Sequence, residues 1–369
     1  MILSKSKLVV LLTFISVTYN RFLGIHYSVT HDNVFDMKLP KQLQYLNKQL
    51  KYVPKWQPRL NDVLSRDFPR ETSLVLSFGS GHYEASRKKE TGVIFVVKNA
   101  VKWHQENYQM HKTHYKSDGS LLSQRQVEEL SFMEDHAIFF KEKLSFSEDD
   151  APLTYGVLPL NSVINDLDSW EVLCAAGILH SPVNLVNYKI ENSLKLVRAM
   201  QRNLFHATLV SLLLLPDSFT EDELYSTVSS LSQSSKVLTE GFSLPGNSIR
   251  SLYSAGSSAV FGCLYHPVLL NMVKLSEQPG TPYSNFFYWD RENRTIEQDK
   301  SEIVTNEHLK ILPLRLQTLM CRVFDSNAQH IRDVEEIMKS IARYPEVEEL
   351  VRLGIHEIIE ESEKKIHFL

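Results

Sequence analysis

Two periodicities divide the chain. Between residues 73 and 160, short apolar runs alternate with polar connections, which is the pattern of strands joined by loops and helices. Ser73–Ser77 reads SLVLS and runs straight into Phe78-Gly79-Ser80-Gly81. A polar stretch, His82–Thr91, leads to GVIFVV at Gly92–Val97, and five consecutive apolar residues predict a strand covered on both faces. VKWHQENYQMHKTHY at 101–115 predicts a helix and a turn. AIFF at 137–140 and LTYGVLPL at 153–160 predict two more strands, and Val163–Ala176 a helix. A further short helix is expected near Gln42–Lys51. From 191 the spacing turns helical. Leu194–Leu215 is one helix stopped by Pro216, and Thr220-x-x-Glu223 has the capping-box spacing that starts the next. Ser229–Lys236 reads as a serine-rich loop, and 240–330 shows little periodicity. Val334, Ile337, Met338 and Ile341 mark one face of a helix ended by Pro345. Val347, Leu350, Val351, Ile355, Ile358 and Ile359 mark one side of a last helix.

The chain has 369 residues, enough for two or three domains with ample core material. The natural boundary lies near 190. With 40 basic and 44 acidic side chains, a net charge of −4 excludes a generally basic nucleic-acid coat, and no nucleic-acid partner is expected. Cys174, Cys263 and Cys321 are too far apart for a CxxC pair, so neither disulfides nor a cysteine-type zinc site organises the fold, and buried reduced thiols are expected. Residues 1–31 stand apart. Lys5 and Lys7 precede the apolar run Leu8–Ser16, and no acidic residue occurs before Asp32. A secretory signal, an organellar presequence and a short buried helix all fit this segment. No other window reaches 18 apolar residues; Leu209–Leu215 comes closest and Pro216 ends it, so no internal membrane span is expected.

A strand ending in Gly-Ser-Gly is mechanically suited to a nucleotide. Glycine lets backbone N–H groups approach phosphate oxygens with no Cβ in the way, and the Ser80 hydroxyl adds a donor. A tight structural turn looks the same when taken alone. His104, His111 and His114 share one short segment, but lack the spacing of a zinc site. His104 and Asn107 are candidates to orient a nucleotide or a phosphate. Asp166 reads either as an acidic ligand or as an ordinary helix-terminal charge. No GxSxG elbow is present.

Together these segments resemble the mitochondrial phosphatidate cytidylyltransferase family. The features run in the family's order. They begin with FGSG at 78–81, IFVV at 94–97, and Trp103, His104, Asn107, His114 and Tyr115. YGV at 155–157, Asp166-Leu-x-x-Trp170, AG at 176–177 and PV at 182–183 come next. The series closes with RNL at 202–204, LLPDSFTEDELY at 214–225, RDVE at 332–335 and VRLG at 351–354. The resemblance implies an α+β protein: a nucleotidyltransferase-like domain with a mixed sheet over 32–190, a mostly helical winged-helix-like domain over 191–345, and a C-terminal amphipathic segment over 346–369. It implies synthesis of CDP-diacylglycerol from CTP and phosphatidic acid, assisted by Mg²⁺, at the matrix face of the inner mitochondrial membrane and feeding cardiolipin. Gly79, Ser80 and Gly81 would then hold the CTP phosphates.

Several positions depart from the implied pattern. The metal-binding aspartate expected at the head of GVIFVV is Gly92, which has no side-chain oxygen for a hard cation. Glu90, two residues earlier and ~6.5–7 Å along an extended strand, is the substitute ligand to consider, with Asp166 as a further one. A solvated charge in the run RKKE is the other reading of Glu90. Expected cations are replaced by Thr154, Ile178 and Ser181, and an expected Gly-Asp pair by Ser235-Lys236. These losses motivate an alternative, a catalytically impaired relative that binds nucleotide, lipid or a protein partner. The last helix carries seven glutamates and one arginine between Glu346 and Glu363, which disfavours an anionic membrane and favours packing on the protein itself.

Overall fold

The structure, a computed structural model, describes residues 57–78, 91–117, 120, 121, 123, 125, 138–144, 153–188, 193–231, 258–324, 331–363 and 366–368. The helix expected near 42–51, the turn residues Gly79, Ser80 and Gly81, and Glu90, Ser235 and Lys236 lie outside them.

The chain is an α+β protein built on a mixed six-stranded sheet. Its strands are β1 (Leu74–Phe78), β2 (Thr91–Val97), β5 (Ile138–Leu144), β6 (Leu153–Pro159), β7 (Asn184–Tyr188) and β11 (Ile366–Phe368), in the order β11-β5-β6-β2-β1-β7. The short strands β3 (Lys116–Ser117) and β4 (Ser120–Leu121) form a separate hairpin. β2 runs parallel to β6 and antiparallel to β1 at the centre of the large sheet. Every residue from Gly92 to Val97 is buried, as a strand covered on both faces requires.

The two faces are set by side-chain alternation. Val75, Val93, Phe95, Val97, Leu153, Tyr155 and Val157 point to one side, where they meet Leu64 and Phe68 from α1 (Gln57–Asp67) and the turn after it, and Trp103 from α2 (Ala100–Met110). Asn99 caps α2 by accepting the Lys102 N–H at 2.9 Å. The other side presents Phe78, Gly92, Ile94, Val96 and Thr154.

The helix expected over 163–176 is two helices. α3 spans Leu160–Ser169 and α4 Ala175–Ile178. Trp170 stops α3 in the left-handed region, at φ 58°, and Leu173 follows at φ 52°. No glycine or proline marks this break, and burial holds it. Trp170 is fully buried, and its indole Nε1–H donates to Asn203 Oδ1 at 2.9 Å. Asn203 Oδ1 also faces His180 Nε2 at 3.2 Å, so that nitrogen carries the proton. Burial lowers the His180 pKa to about 4, which keeps the ring neutral.

Asn203 belongs to α5 (Ser193–Leu214), which packs on α3. β8 (Ser218–Thr220) follows, and Thr220 begins α6 (Glu221–Ser230) with both halves of the expected capping box made. Ser229 and Ser230 lie in this helix, contrary to the expected loop, and 232–236 lie outside the described residues. The stretch with little periodicity contains α7 (Ser258–Ser276), a hairpin of β9 (Phe287–Asp290) and β10 (Thr295–Gln298), α8 (Glu302–Lys310) and α9 (Leu314–Phe324). β8, β10 and β9 form a three-stranded antiparallel sheet.

One carboxylate ties this region together. Glu221 is 2 % exposed and receives Trp289 Nε1–H at 2.8 Å, Arg294 Nε–H at 3.1 Å and the Tyr225 hydroxyl at 3.2 Å, with His266 Nε2 at 3.3 Å. Arg294 sits in the left-handed region at the hairpin turn and also donates to Asp222 and Ser258.

By length and composition α7 could cross a membrane, but half of its apolar window is buried within the protein. Polar residues interrupt that window, which is why a search for an unbroken apolar run passes it over. Its Tyr265 hydroxyl donates to the buried His180 carbonyl at 2.8 Å. Of the three cysteines, Cys174 and Cys321 are buried, and Cys263 on α7 is exposed, contrary to the expectation for all three.

α10 (Ile331–Ala342) and α11 (Val347–Glu363) complete the helices. The apolar side of α11 is covered: Leu350, Val351, Ile355, Ile358 and Ile359 are buried, and the helix packs on α9 and α5. A Cβ at Gly354 would lie 2.8 Å from Leu316 Cδ1 and 2.9 Å from Met320 Cγ, so glycine permits this approach of α9 and α11. Gly354→Val is expected to destabilise by about 2 kcal/mol, its helix-propensity gain offsetting part of the overpacking. The effect should show as a lower urea midpoint at unchanged slope.

Candidate functional site

Three adjacent strands, β6, β2 and β1, align Thr154, Gly92 and Phe78 at one end of the large sheet. β1 ends at Phe78, which Gly79-Ser80-Gly81 follow in the sequence. Phe78 pairs with Gly92 near the start of β2, and Gly92 with Thr154 near the start of β6. β7 begins beside the same end of β1, where Ser77 pairs with Asn184. Ile178 and Ser181 lie in the segment leading into β7 and are 5 % and 9 % exposed. Four positions where the sequence departs from expected charge therefore fall in or just before strands that start at this end. All four are buried and uncharged: Gly92, Thr154, Ile178 and Ser181.

The Phe78 ring covers Gly92. A Cβ built on residue 92 would stand 2.5 Å from Phe78 Cζ and 2.8 Å from both Cε atoms. Any side chain at 92 therefore competes with a buried aromatic ring. The sequence held both residues in view, but their contact depends on the β1–β2 register, which no local pattern supplies.

Asp166 is 1 % exposed, and its carboxylate serves the backbone. Oδ1 accepts the Val172 and Leu173 N–H groups at 2.9 and 2.8 Å, and Oδ2 accepts the Ala176 N–H at 3.0 Å. Burial pushes its pKa up, against the pull of those N–H groups. In this geometry Asp166 clamps the loop between α3 and α4, rather than standing as a solvated helix-terminal charge.

His104 and Asn107 lie on the opposite face from Phe78, Gly92 and Thr154, on the buried side of α2. Asn107 Nδ2 donates to the Tyr115 and Tyr155 hydroxyls, both at 3.0 Å. Those hydroxyls face His104 Nδ1 at 2.9 Å and His114 Nδ1 at 3.2 Å. Burial lowers the His104 pKa to about 3, so the imidazole is neutral throughout the physiological range. A base that weak removes few protons near pH 7. The network joins α2, the turn after it and β6, so its visible role is to fix the helix on the sheet. His111 and His114 stack at 4.5 Å, and His111 Nε2 reaches the Asp67 carbonyl at 2.6 Å.

The fit of a divalent ion follows from these placements. Among the described residues, no three His, Cys, Asp or Glu side chains converge so as to hold one metal. Gly92 offers no ligand, the space above it is filled, and both Asp166 oxygens already accept backbone N–H groups. The described residues around Gly92 and Asp166 do not fit a resident Mg²⁺.

The fold is that of a mixed α+β protein. The profile of the family described as phosphatidate cytidylyltransferase, mitochondrial, matches residues 60–367, and the chain belongs to that family. Curated relatives with the same description agree. The Danio rerio protein is 28% identical over 305 residues, covering 80% of this chain and 83% of its own length. The Homo sapiens protein is 28% identical over 304 residues, covering 80% and 62%. The Drosophila melanogaster protein is 28% identical over 278 residues, covering 72% and 75%.

Proposed function

We propose that this chain transfers the cytidylyl group of CTP to phosphatidic acid in mitochondria, at the matrix face of the inner membrane, on the route to cardiolipin. The observation that carries this reading is family membership across both the sheet and the helical half. A phosphate oxygen of phosphatidic acid bonds to the α-phosphorus of CTP. The bond from that phosphorus to the bridging oxygen breaks, and pyrophosphate leaves with the electron pair, giving CDP-diacylglycerol. A divalent cation supplies charge neutralisation on the triphosphate when bound. The chain's own contribution would be backbone N–H groups of Gly79, Ser80 and Gly81 and the Ser80 hydroxyl, donors of the kind that phosphate oxygens accept. The Asn107 network holds α2 on the sheet. Membrane contact would come from surfaces other than the covered side of α11.

The full chain, given CTP, Mg²⁺ and vesicles containing phosphatidic acid, should release pyrophosphate. Gly81→Val should lower kcat/KM by on the order of 10²-fold, because a branched side chain blocks the approach of the backbone to phosphate. Its melting temperature should stay near that of the wild type. No pyrophosphate above a protein-free blank would sink the reading. The Phe78 ring over Gly92 favours a second reading, a relative that binds CTP or lipid without turnover. That reading is distinguished by CTP binding in the absence of pyrophosphate.

A further inference from the structure

A resident divalent ion needs several hard oxygen ligands converging on one point, and Mg²⁺ tolerates little departure from octahedral geometry. The row Phe78–Gly92–Thr154 crosses three adjacent strands and supplies one side-chain oxygen, the hydroxyl of Thr154, which is 1 % exposed. Ile178 and Ser181, leading into the neighbouring strand, add no carboxylate. Asp166 is held by three backbone N–H groups of its own loop. The one place where an added side chain would enter the row is closed by an aromatic ring that is itself 7 % exposed.

We infer that Phe78 plugs the position over Gly92 where an ion would be held, and that a divalent ion reaches this end of the sheet only as the counter-ion of a nucleoside triphosphate. The inference rests on reading this end as the nucleotide end. The triphosphate brings its own oxygen ligands, so the ion needs few from the protein. Gly92 is then a packing residue, fixed by the ring above it.

Two measurements on the full chain test this, and neither uses turnover. The first is a thermal cycle. Gly92→Ala should lower the melting temperature by roughly 2–6 °C, because its methyl group meets the Phe78 ring. In a Phe78→Leu background the same substitution should have almost no effect, since the obstructing ring atoms are gone. The second is Mn²⁺ titration followed by electron paramagnetic resonance. The nucleotide-free protein should leave the free Mn²⁺ signal undiminished at micromolar metal. CTP with the protein should deplete that signal more than CTP alone. A Gly92→Ala protein that melts like the wild type would overturn the plug. Stoichiometric micromolar binding of Mn²⁺ without nucleotide would overturn delivery by the nucleotide, and would direct attention to Glu90. A protein that releases no pyrophosphate but passes both tests removes the proposed reaction and leaves the plug standing.

Discussion

Asp166→Ala should destabilise the protein by about 3–5 kcal/mol. The carboxylate is the acceptor for three buried N–H groups, those of Val172, Leu173 and Ala176. Leaving a buried donor without an acceptor costs about 1–3 kcal/mol each, and partial relaxation makes three of them less than additive. Burial of Trp170 and its bond to Asn203 hold one side of this loop, and the carboxylate holds the other. Trp170 and Leu173 both occupy the left-handed region, which bulky side chains disfavour. Asp166→Asn should lose about half as much. Its amide oxygen can still accept from Val172 and Leu173, while its NH₂ group would face the Ala176 N–H, donor against donor. Urea unfolding should show the ordering wild type, Asn, Ala, with loss of the near-ultraviolet tryptophan signal as Trp170 comes loose. An alanine variant within 1 kcal/mol of wild type would mean that the clamp carries no weight.

Glu221→Gln has the second large effect, and its pH dependence identifies the cause. Burial pushes the Glu221 carboxyl up. Hydrogen bonds from His266, Trp289 and Arg294, and the charge on His266, more than offset this and bring it to about 2. Because the folded pKa lies below the ordinary glutamate value, the stabilisation is fully present above about pH 4.5 and fades as pH falls toward 2. A shift of that size corresponds to about 3 kcal/mol near neutral pH. Glutamine keeps the shape but removes the charge that Arg294 meets, and its NH₂ cannot accept from Trp289. The gap in melting temperature between wild type and Glu221→Gln should be widest at pH 6–7 and narrow as the buffer is taken below 4.5. A gap that stays constant over that range would assign the loss to packing rather than to the ionised carboxylate.

How far the sequence could be read depended on whether the deciding interaction was local. GVIFVV announces a buried strand because burial on both faces demands apolar residues at every position. Thr220 and Glu223 announce the start of α6 because a capping box is made within four residues. The end of α3 gave no such signal. A reader looks for glycine in a left-handed position, and the chain places Trp170 there, held by Asn203 more than thirty residues away. The stretch after 257 was opaque for the same reason, since Glu221 anchors a hairpin turn about seventy residues downstream. At the candidate site, the absence of a side chain at Gly92 was legible as a residue type. The covering of Gly92 by Phe78 was not, because it arises from register between two strands. His104 shows the converse. Its neighbours in sequence suggested chemistry, and its neighbours in space are tyrosines and a neutral amide beneath the sheet.

β11 pairs in parallel with β5, joining residues 366–368 to 138–140. Synthesis proceeds from the N-terminus, so β5 emerges long before its outer neighbour exists. Until residue 368 has been made, the flank of β5 presents bare amide and carbonyl groups able to template association with other nascent chains. A bulky fusion placed directly after this strand, or a premature stop codon just before it, would prolong that interval and should surface first as inclusion bodies during expression, whatever the condition of the cytidylyl-transfer machinery.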